Sequence, residues 1–261
     1  IEIAEGLASR LDIRNNERRL HDISITEEAL SIIENDDRIK NGSTTVLFRE
    51  HWHKGVIGIV ASRLMEKYYR PTIVLTLSNG KLTGSARSVR GFDLHHALEQ
   101  CADLLDKFGG HRFAAGLTLD PSRLDEFKIR FEDVVKNSLT DEMKQPVIEI
   151  DAVVNLEQLT EKFQRIQKQM APFGPGNLQP VFEVRSVMVE GLPILAKERH
   201  LRLVISDQES GINFGGVCFD RPDLLELATS GRPLNIVFHL DENSWNGVTS
   251  LQLRIKDIRP A

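Results

Sequence analysis

Thr72-Ile73-Val74-Leu75-Thr76-Leu77-Ser78-Asn79-Gly80-Lys81-Leu82-Thr83-Gly84-Ser85-Ala86-Arg87-Ser88 is the stretch on which the fold depends. Two β-rich runs, 72–78 and 81–88, flank Asn-Gly, a pair that tolerates the positive φ angles of a two-residue hairpin. Just upstream, the β-branched run 44–49 predicts a strand. Residues 55–69 place Ile57, Val60, Ala61 and Leu64 on one helical face and stop before Pro71. Downstream, Asp93 is expected to cap a helix reaching about Lys107 and halted by Gly109-Gly110. Residues 114–119 then read as a strand, and Pro121 opens a helix that fades near Asn137. Residues 1–37 read as two helices broken near Asn15-Asn16, the second entered through Thr26 with Glu27 and Glu28 in its first turn. These elements predict an α/β (α+β) domain with a mixed sheet flanked by helices.

Beyond a polar stretch at 138–146 the texture changes. A strand is expected at 147–154, and a helix at 155–170 with Leu156, Leu159, Phe163 and Ile166 on one face. The turn-rich run Ala171-Pro172-Phe173-Gly174-Pro175-Gly176-Asn177 follows. Strands near 181–190, 198–206 and 211–218, a short helix near 222–229, and strands near 233–241 and 248–258 complete the chain. Three strands, a helix and two strands is the order of an OB-fold, a small Greek-key β-barrel. The expected division is connecting helices at 1–40, a first domain at 41–140, a connecting segment at 141–179 and a barrel at 180–261.

Composition narrows the class. The chain has 261 residues, 41% hydrophobic and 27% charged, with a net charge of −5, which is ordinary for a globular protein of one or two domains. Cys101 and Cys218 fall in apolar patterns, so buried free thiols in a reducing, cytoplasmic setting are expected. No apolar run approaches a bilayer span, so no membrane partner is expected. Because the chain starts at Ile1 inside a helix-like pattern, it reads as a piece of something longer. Charge is uneven: Lys54, Arg63, Lys67, Arg70, Lys81, Arg87 and Arg90 crowd residues 51–92 against the single acid Glu66. Such a concentration within an acidic body suits a localised anion site.

Three motifs carry the chemistry. His53 and Lys54 precede the helix at Gly55, whose free N–H groups favour an anion, and Gly55 and Gly58 would let another surface approach. Arg63 either joins that site or pairs with Glu66, and His51 and Trp52 serve equally as a packed strand terminus. Alternation puts Ser85 and Arg87 on one face of their strand, with Ala86 and Ser88 on the other. A guanidinium two residues from a hydroxyl can grip a phosphate through charge-assisted hydrogen bonds, or the strand can be an ordinary polar edge. In Gly109-Gly110-His111-Arg112-Phe113-Ala114-Ala115-Gly116, the glycines permit close approach and His111 can meet a phosphate, ligate a metal or cap the preceding helix. A metal role is disfavoured, since no carboxylate or thiol cluster completes a ligand set and His95 and His96 diverge by roughly 100° on a helix.

In this order, His53 to Leu64, Gly84 to Ser88 and Gly109 to Gly116 resemble the DHH-associated domain of the DHH phosphoesterases. Within that superfamily they are similar to the RecJ-like exonucleases specific for single-stranded DNA. Pro172 to Asn177 and Pro180-Val181-Phe182 resemble the entry to the OB-fold of that group. The resemblance implies a metal-binding DHH domain ahead of residue 1, Mn²⁺ or Mg²⁺ as cofactor of the intact enzyme through that domain, and none bound by this chain. By that reasoning the chain alone is expected to be inactive. Ser85, Arg87, Ser88, Gly109, Gly110 and His111 would hold the terminal nucleotide phosphates, and further DNA contacts would come from His53, Lys54 and Arg63. In the barrel, Lys197, Arg199, His200 and Arg202 form a basic group, of which Lys197, Arg199 and Arg202 are candidate DNA contacts. Phe214, Phe219 and Trp245 are candidate stacking residues, or core and turn anchors. Nine basic against eleven acidic groups in 180–261 argue against strong binding by the barrel alone. The implied partners are single-stranded DNA and the DHH domain. The alternatives are docking of a DNA-repair partner such as single-stranded-DNA-binding protein, and recognition of a small nucleotide.

Overall fold

The computed structural model describes residues 2–245 and 247–261, and the chain divides into two compact units, Ile1–Val147 and Ile148–Ala261. The first begins with α1 (Glu2–Asn35), followed by the single turn α2 (Asp37–Lys40), β1 (Thr45–Phe48), α3 (Ile57–Tyr68), β2 (Thr72–Ser78) and β3 (Lys81–Arg87). Then come α4 (Leu94–Glu99), β4 (Lys107–His111), β5 (Ala114–Leu119) and α5 (Leu124–Ser138). The sheet runs in the order β1-β2-β3-β5-β4, with β1 and β2 parallel and the other pairs antiparallel. Asn79 and Gly80 both take positive φ at the β2–β3 hairpin, as their pairing in the sequence requires.

Helices pack on both faces of this sheet, and on one of them they cover β1 and β2 but leave β5 and β4 open. On that face, Leu47 and Val74 pack with Ile57, Val60, Ala61 and Leu64 of α3 and with Ile25, Ala29 and Ile33 of α1. On the other, Ile73, Leu75, Leu82 and Ala86 meet Leu94 and Leu98 of α4 and Phe127, Phe131 and Val135 of α5. The fully buried rings of Phe127 and Phe131 stack 5.7 Å apart. Burying a side chain of that size contributes about 1.5–3 kcal/mol.

Two expectations for this unit need correction. No break occurs at Asn15-Asn16, and α1 is one 34-residue helix. Asparagine costs only a few tenths of a kcal/mol in a helix, and Asn15 accepts a hydrogen bond from Arg18 one turn on. Thr26 therefore lies inside the helix, its hydroxyl directed at Asp22. Nor does the helix after Asp93 extend to Lys107. Asp93 caps α4 through the His96 amide, but α4 ends at Glu99 and a 3₁₀ turn spans Ala102–Leu104. Leu98, Cys101 and Leu104 are buried at a spacing of three, the period of that tighter helix. Gly109-Gly110-His111 consequently lies in the edge strand β4 and terminates no helix.

In the second unit, β6 (Ala152–Val153) pairs with β7 (Phe182–Ala196), and α6 (Glu161–Gln169) lies between them in sequence. β8 (His200–Ser206), β9 (Asn213–Cys218), α7 (Leu225–Ala228), β10 (Leu234–Trp245) and β11 (Val248–Pro260) follow. The ladder β7-β8-β9-β11-β10 closes through β10 onto β7, giving a five-stranded mixed barrel with α7 between its third and fourth strands. Leu201, Leu203, Ile205, Cys218, Ile236, Phe238, Leu240 and Leu253 fill it. The expected strand 147–154 shrinks to two residues. The expected helix 155–170 is a 3₁₀ turn, then α6 capped by Thr160. That cap rotates the face: Leu156, Leu159 and Phe163 pack on the barrel core, Gln164 and Gln167 are buried, and Ile166 is exposed.

Candidate functional site

The ladder registers draw the sequence motifs together. Ser85 pairs with Gly116, which pairs with Gly109; Arg87 pairs with Ala114, which pairs with His111. Paired residues share a face of a sheet, so two parallel rows cross β3, β5 and β4. Ser85 and Arg87 stand at one end of the rows and His111 at the other, two strand spacings or roughly 9.5 Å away. Between them lie only Gly116, Ala114 and Gly109, and both glycines are exposed. The result is an open floor of backbone and methyl groups.

Helix α3 forms a wall beside this floor. It packs over β2 through Val74, on the same face as Ser85, and meets β3 at Gly58 and Ser62. Nε of Arg87 donates to Ser62 Oγ at 3.1 Å, while Nη1 donates to Ser85 Oγ at 2.9 Å and to the Ala86 carbonyl at 2.8 Å. The guanidinium is half-buried, and among the described residues no carboxylate pairs with it. Burial without a counter-ion pushes its pKa below the usual arginine value. A half-buried cation aimed by hydroxyls and lacking an acid is a ready partner for an anion.

The other basic groups of residues 51–92 are mostly engaged elsewhere. Arg63 pairs at 2.7 Å with the buried Asp22 of α1, and not with Glu66. Lys81 bridges Asp106 and Asp120, and Lys67 lies over the Tyr68 ring. Buried Arg70 donates to Thr45 Oγ1 and to the carbonyls of Ile39, Lys40 and Gly42. Acids distant in sequence thus neutralise Arg63 and Lys81, and backbone carbonyls occupy Arg70, which leaves Arg87 distinctive.

The remaining candidates separate. His53 stacks on His21 at 5.5 Å and accepts the Gly55 N–H, and Lys54 is exposed. Trp52 is buried, its indole donating to Glu28, which also meets His51 and Arg49, so the terminus of β1 is packed. Burial alone would raise the Glu28 carboxyl, but these donors hold it below the usual carboxylate range. Ser88 faces away from Arg87; its hydroxyl is buried with no hydrogen-bond partner among the described residues, so the structure does not bring it to the floor. Gly110 alternates to the opposite face of β4 from Gly109 and His111 and is exposed; a Cβ on it would strike the Ala114 carbonyl oxygen, so its lack of a side chain lets β4 approach β5. His111, at the far end of the floor, borders an open concavity of about 500 Å³ with Asp93, His95, His96 and Glu99. Arg112 pairs there with Asp93, and His96 with Glu99. The donor set does not fit a divalent metal centre: among the described residues, no three His, Cys, Asp or Glu side chains are placed to hold one.

In the barrel, Lys197 turns at positive φ between β7 and β8, and Arg199 pairs with Asp220. Arg202 is exposed on β8, and Phe219 is exposed with its edge against His200. Phe214 packs against the core, and the Trp245 side chain lies outside the described residues. Among the described residues no helix is long and apolar enough to cross a membrane. Sequence reasoning did not identify Ser62 as a partner of Arg87. Its one signal is that it lies a helical turn after Gly58, on the face that glycine opens.

Comparison with known proteins agrees with this architecture. Residues 41–137 match the DHHA1 domain and residues 150–257 the RecJ OB domain. The chain is 35% identical over 257 residues to the single-stranded-DNA-specific exonuclease RecJ of Bacillus subtilis, covering 97% of this chain and 32% of that protein. The RecJ of Escherichia coli is 30% identical over 264 residues, covering 98% of this chain and 45% of that one. The crystal structure of RecJ from Thermus thermophilus in complex with Mn²⁺ superposes with a TM-score of 0.79 at 26% identity, over 99% of this chain and 36% of that chain. The same protein with Mg²⁺ gives a TM-score of 0.75. A DHHA1 domain followed by a RecJ OB domain places the chain in the RecJ family of the DHH superfamily. It spans between about a third and a half of the length of these relatives.

Proposed function

We propose that the chain is the substrate-holding part of a RecJ-type 5′-to-3′ exonuclease and receives the terminal phosphates of single-stranded DNA on the floor between Arg87 and His111. Arg87 carries the reading: it is half-buried, without a carboxylate, and oriented by Ser62 and Ser85. Gly109 and Gly116 leave room for the sugar-phosphate chain, and His111 offers a second donor across the floor. Lys54, near the start of α3, is a further phosphate contact within the first unit, and exposed Arg202 is a contact offered by the barrel. Mn²⁺- or Mg²⁺-dependent cleavage belongs, on this reading, to residues of the longer protein outside these 261. Two buried free thiols suit a reducing, cytoplasmic setting.

The test is fluorescence anisotropy with a labelled oligothymidylate across a salt series. Binding should weaken steeply with salt, because phosphate contacts release counterions. Arg87→Ala should lower affinity tenfold or more, matching the roughly 1.5–3 kcal/mol of a hydrogen bond to a charged group. Salt-insensitive binding, or an unchanged affinity for Arg87→Ala, would refute the assignment. A second reading concerns the barrel alone. Leu192 and Ile194 on β7 are 87% and 63% exposed, with Ile194 paired to Arg202, a surface suited to a protein such as single-stranded-DNA-binding protein. Retained DNA affinity in an Ile194→Asp, Arg202→Ala double variant would favour that role for the barrel.

A further inference from the structure

The contacts between α3 and β3 assign a role to two residues that belong to neither the Ser/Arg nor the Gly-Gly-His motif. Ser62 Oγ donates to the Gly58 carbonyl one turn earlier at 3.1 Å. With its proton committed there, its lone pairs face Nε of Arg87, also at 3.1 Å. Nη1 is spent on Ser85 and Ala86, and no hydrogen bond to Nη2 is found among the described residues. Gly58 supplies the space around that last group: a Cβ on it would lie 3.0 Å from Nη2 and 3.1 Å from Ser85 Oγ. Those contacts are tight enough that the guanidinium would have to shift.

We infer that Ser62 is a positioning residue for Arg87, and that Gly58 is kept without a side chain so that Nη2 is presented to a phosphate oxygen. This rests on the reading of Arg87 as an anion-binding group, and it adds that the specificity of the site is set partly by the helical wall. The direction of the guanidinium is imposed by a backbone carbonyl of α3 through the Ser62 hydroxyl. Because serine's role is acceptance of one hydrogen bond, threonine can replace it and alanine cannot.

A mutant cycle on the 261-residue chain separates the alternatives, with 5′-phosphorylated dodecathymidylate as the probe and thermal melts as the control for folding. Ser62→Ala should weaken binding about fivefold, the equivalent of one ordinary hydrogen bond, and Ser62→Thr should restore it. In an Arg87→Ala background, Ser62→Ala should have no further effect. Gly58→Ala should also weaken binding while the melting temperature holds or rises, since alanine is the better helix former. Equal losses from Ser62→Ala with and without Arg87 would overturn the positioning role, as would a Gly58→Ala variant that binds normally. If Arg87→Ala itself changes nothing, the anion-site reading fails, and this inference with it.

Discussion

Arg87 shows how little of a residue's role lies in its charge alone. Seven basic groups share residues 51–92, yet Arg63, Lys81 and Arg70 are satisfied by Asp22, by Asp106 and Asp120, and by carbonyl oxygens. Their partners are far off in sequence, so a local count of charge does not reveal them. The two cysteines are a second case at this scale. Burial pushes the Cys101 thiol up to about 11 and the Cys218 thiol up to about 12, so both remain protonated where thiolate reagents act. Neither should react with Ellman's reagent at pH 8 in the folded chain, and both should react in denaturant; rapid labelling of the native protein would contradict their burial. Above the ordinary thiol value of 9.0, the unfolded chain loses protons that the folded chain keeps, so stability should fall as pH rises from about 9 toward 11 or 12. Urea titrations between pH 8 and 10.5 would measure the decline.

At the scale of elements, β4 is where local reading and tertiary structure part. Two glycines after an apolar periodic run look like a helix stop, and no local rule distinguishes that from an edge strand. Pairing with β5 decides it, and Gly110 is needed because its φ is +149° and a Cβ would strike the Ala114 carbonyl. Gly110→Ala should destabilise the first unit by about 2 kcal/mol or more, measured as a lowered urea midpoint, whereas Gly109→Ala, which meets nothing, should leave folding intact. The β2–β3 hairpin and β5 were legible because alternation and Asn-Gly are local signals; 72–78 and 114–119 agree with their strands to the residue. The rows linking Ser85 to Gly109 and Arg87 to His111 were not, because they depend on strand order and register. The same limit hid the pairing of Ser62 with Arg87, whereas alternation alone already sets Ser88 on the opposite face, and only the family resemblance groups it with Arg87.

For the whole molecule, each unit keeps its own buried clusters, two in the first and one in the second among the described residues, which implies two separable stabilities. Phe127 and Phe238 are each fully buried, in different units. Phe127→Ala should cost about 3–5 kcal/mol and expose Cys101 at lower urea with little change for Cys218, and Phe238→Ala should do the reverse. Pulse labelling with mass spectrometry reads both thiols in one experiment. Under the proposed function, the tightest contact with DNA lies in the first unit and the barrel guides the strand. Nuclear magnetic resonance of the isotope-labelled chain, titrated with 5′-phosphorylated dodecathymidylate, tests this most directly. The largest shifts are expected on the Arg87 side-chain Nε–H and on the amides of Gly109, His111 and Gly116. Shifts confined to residues 180–261, with Arg87 and the floor unmoved, would contradict it.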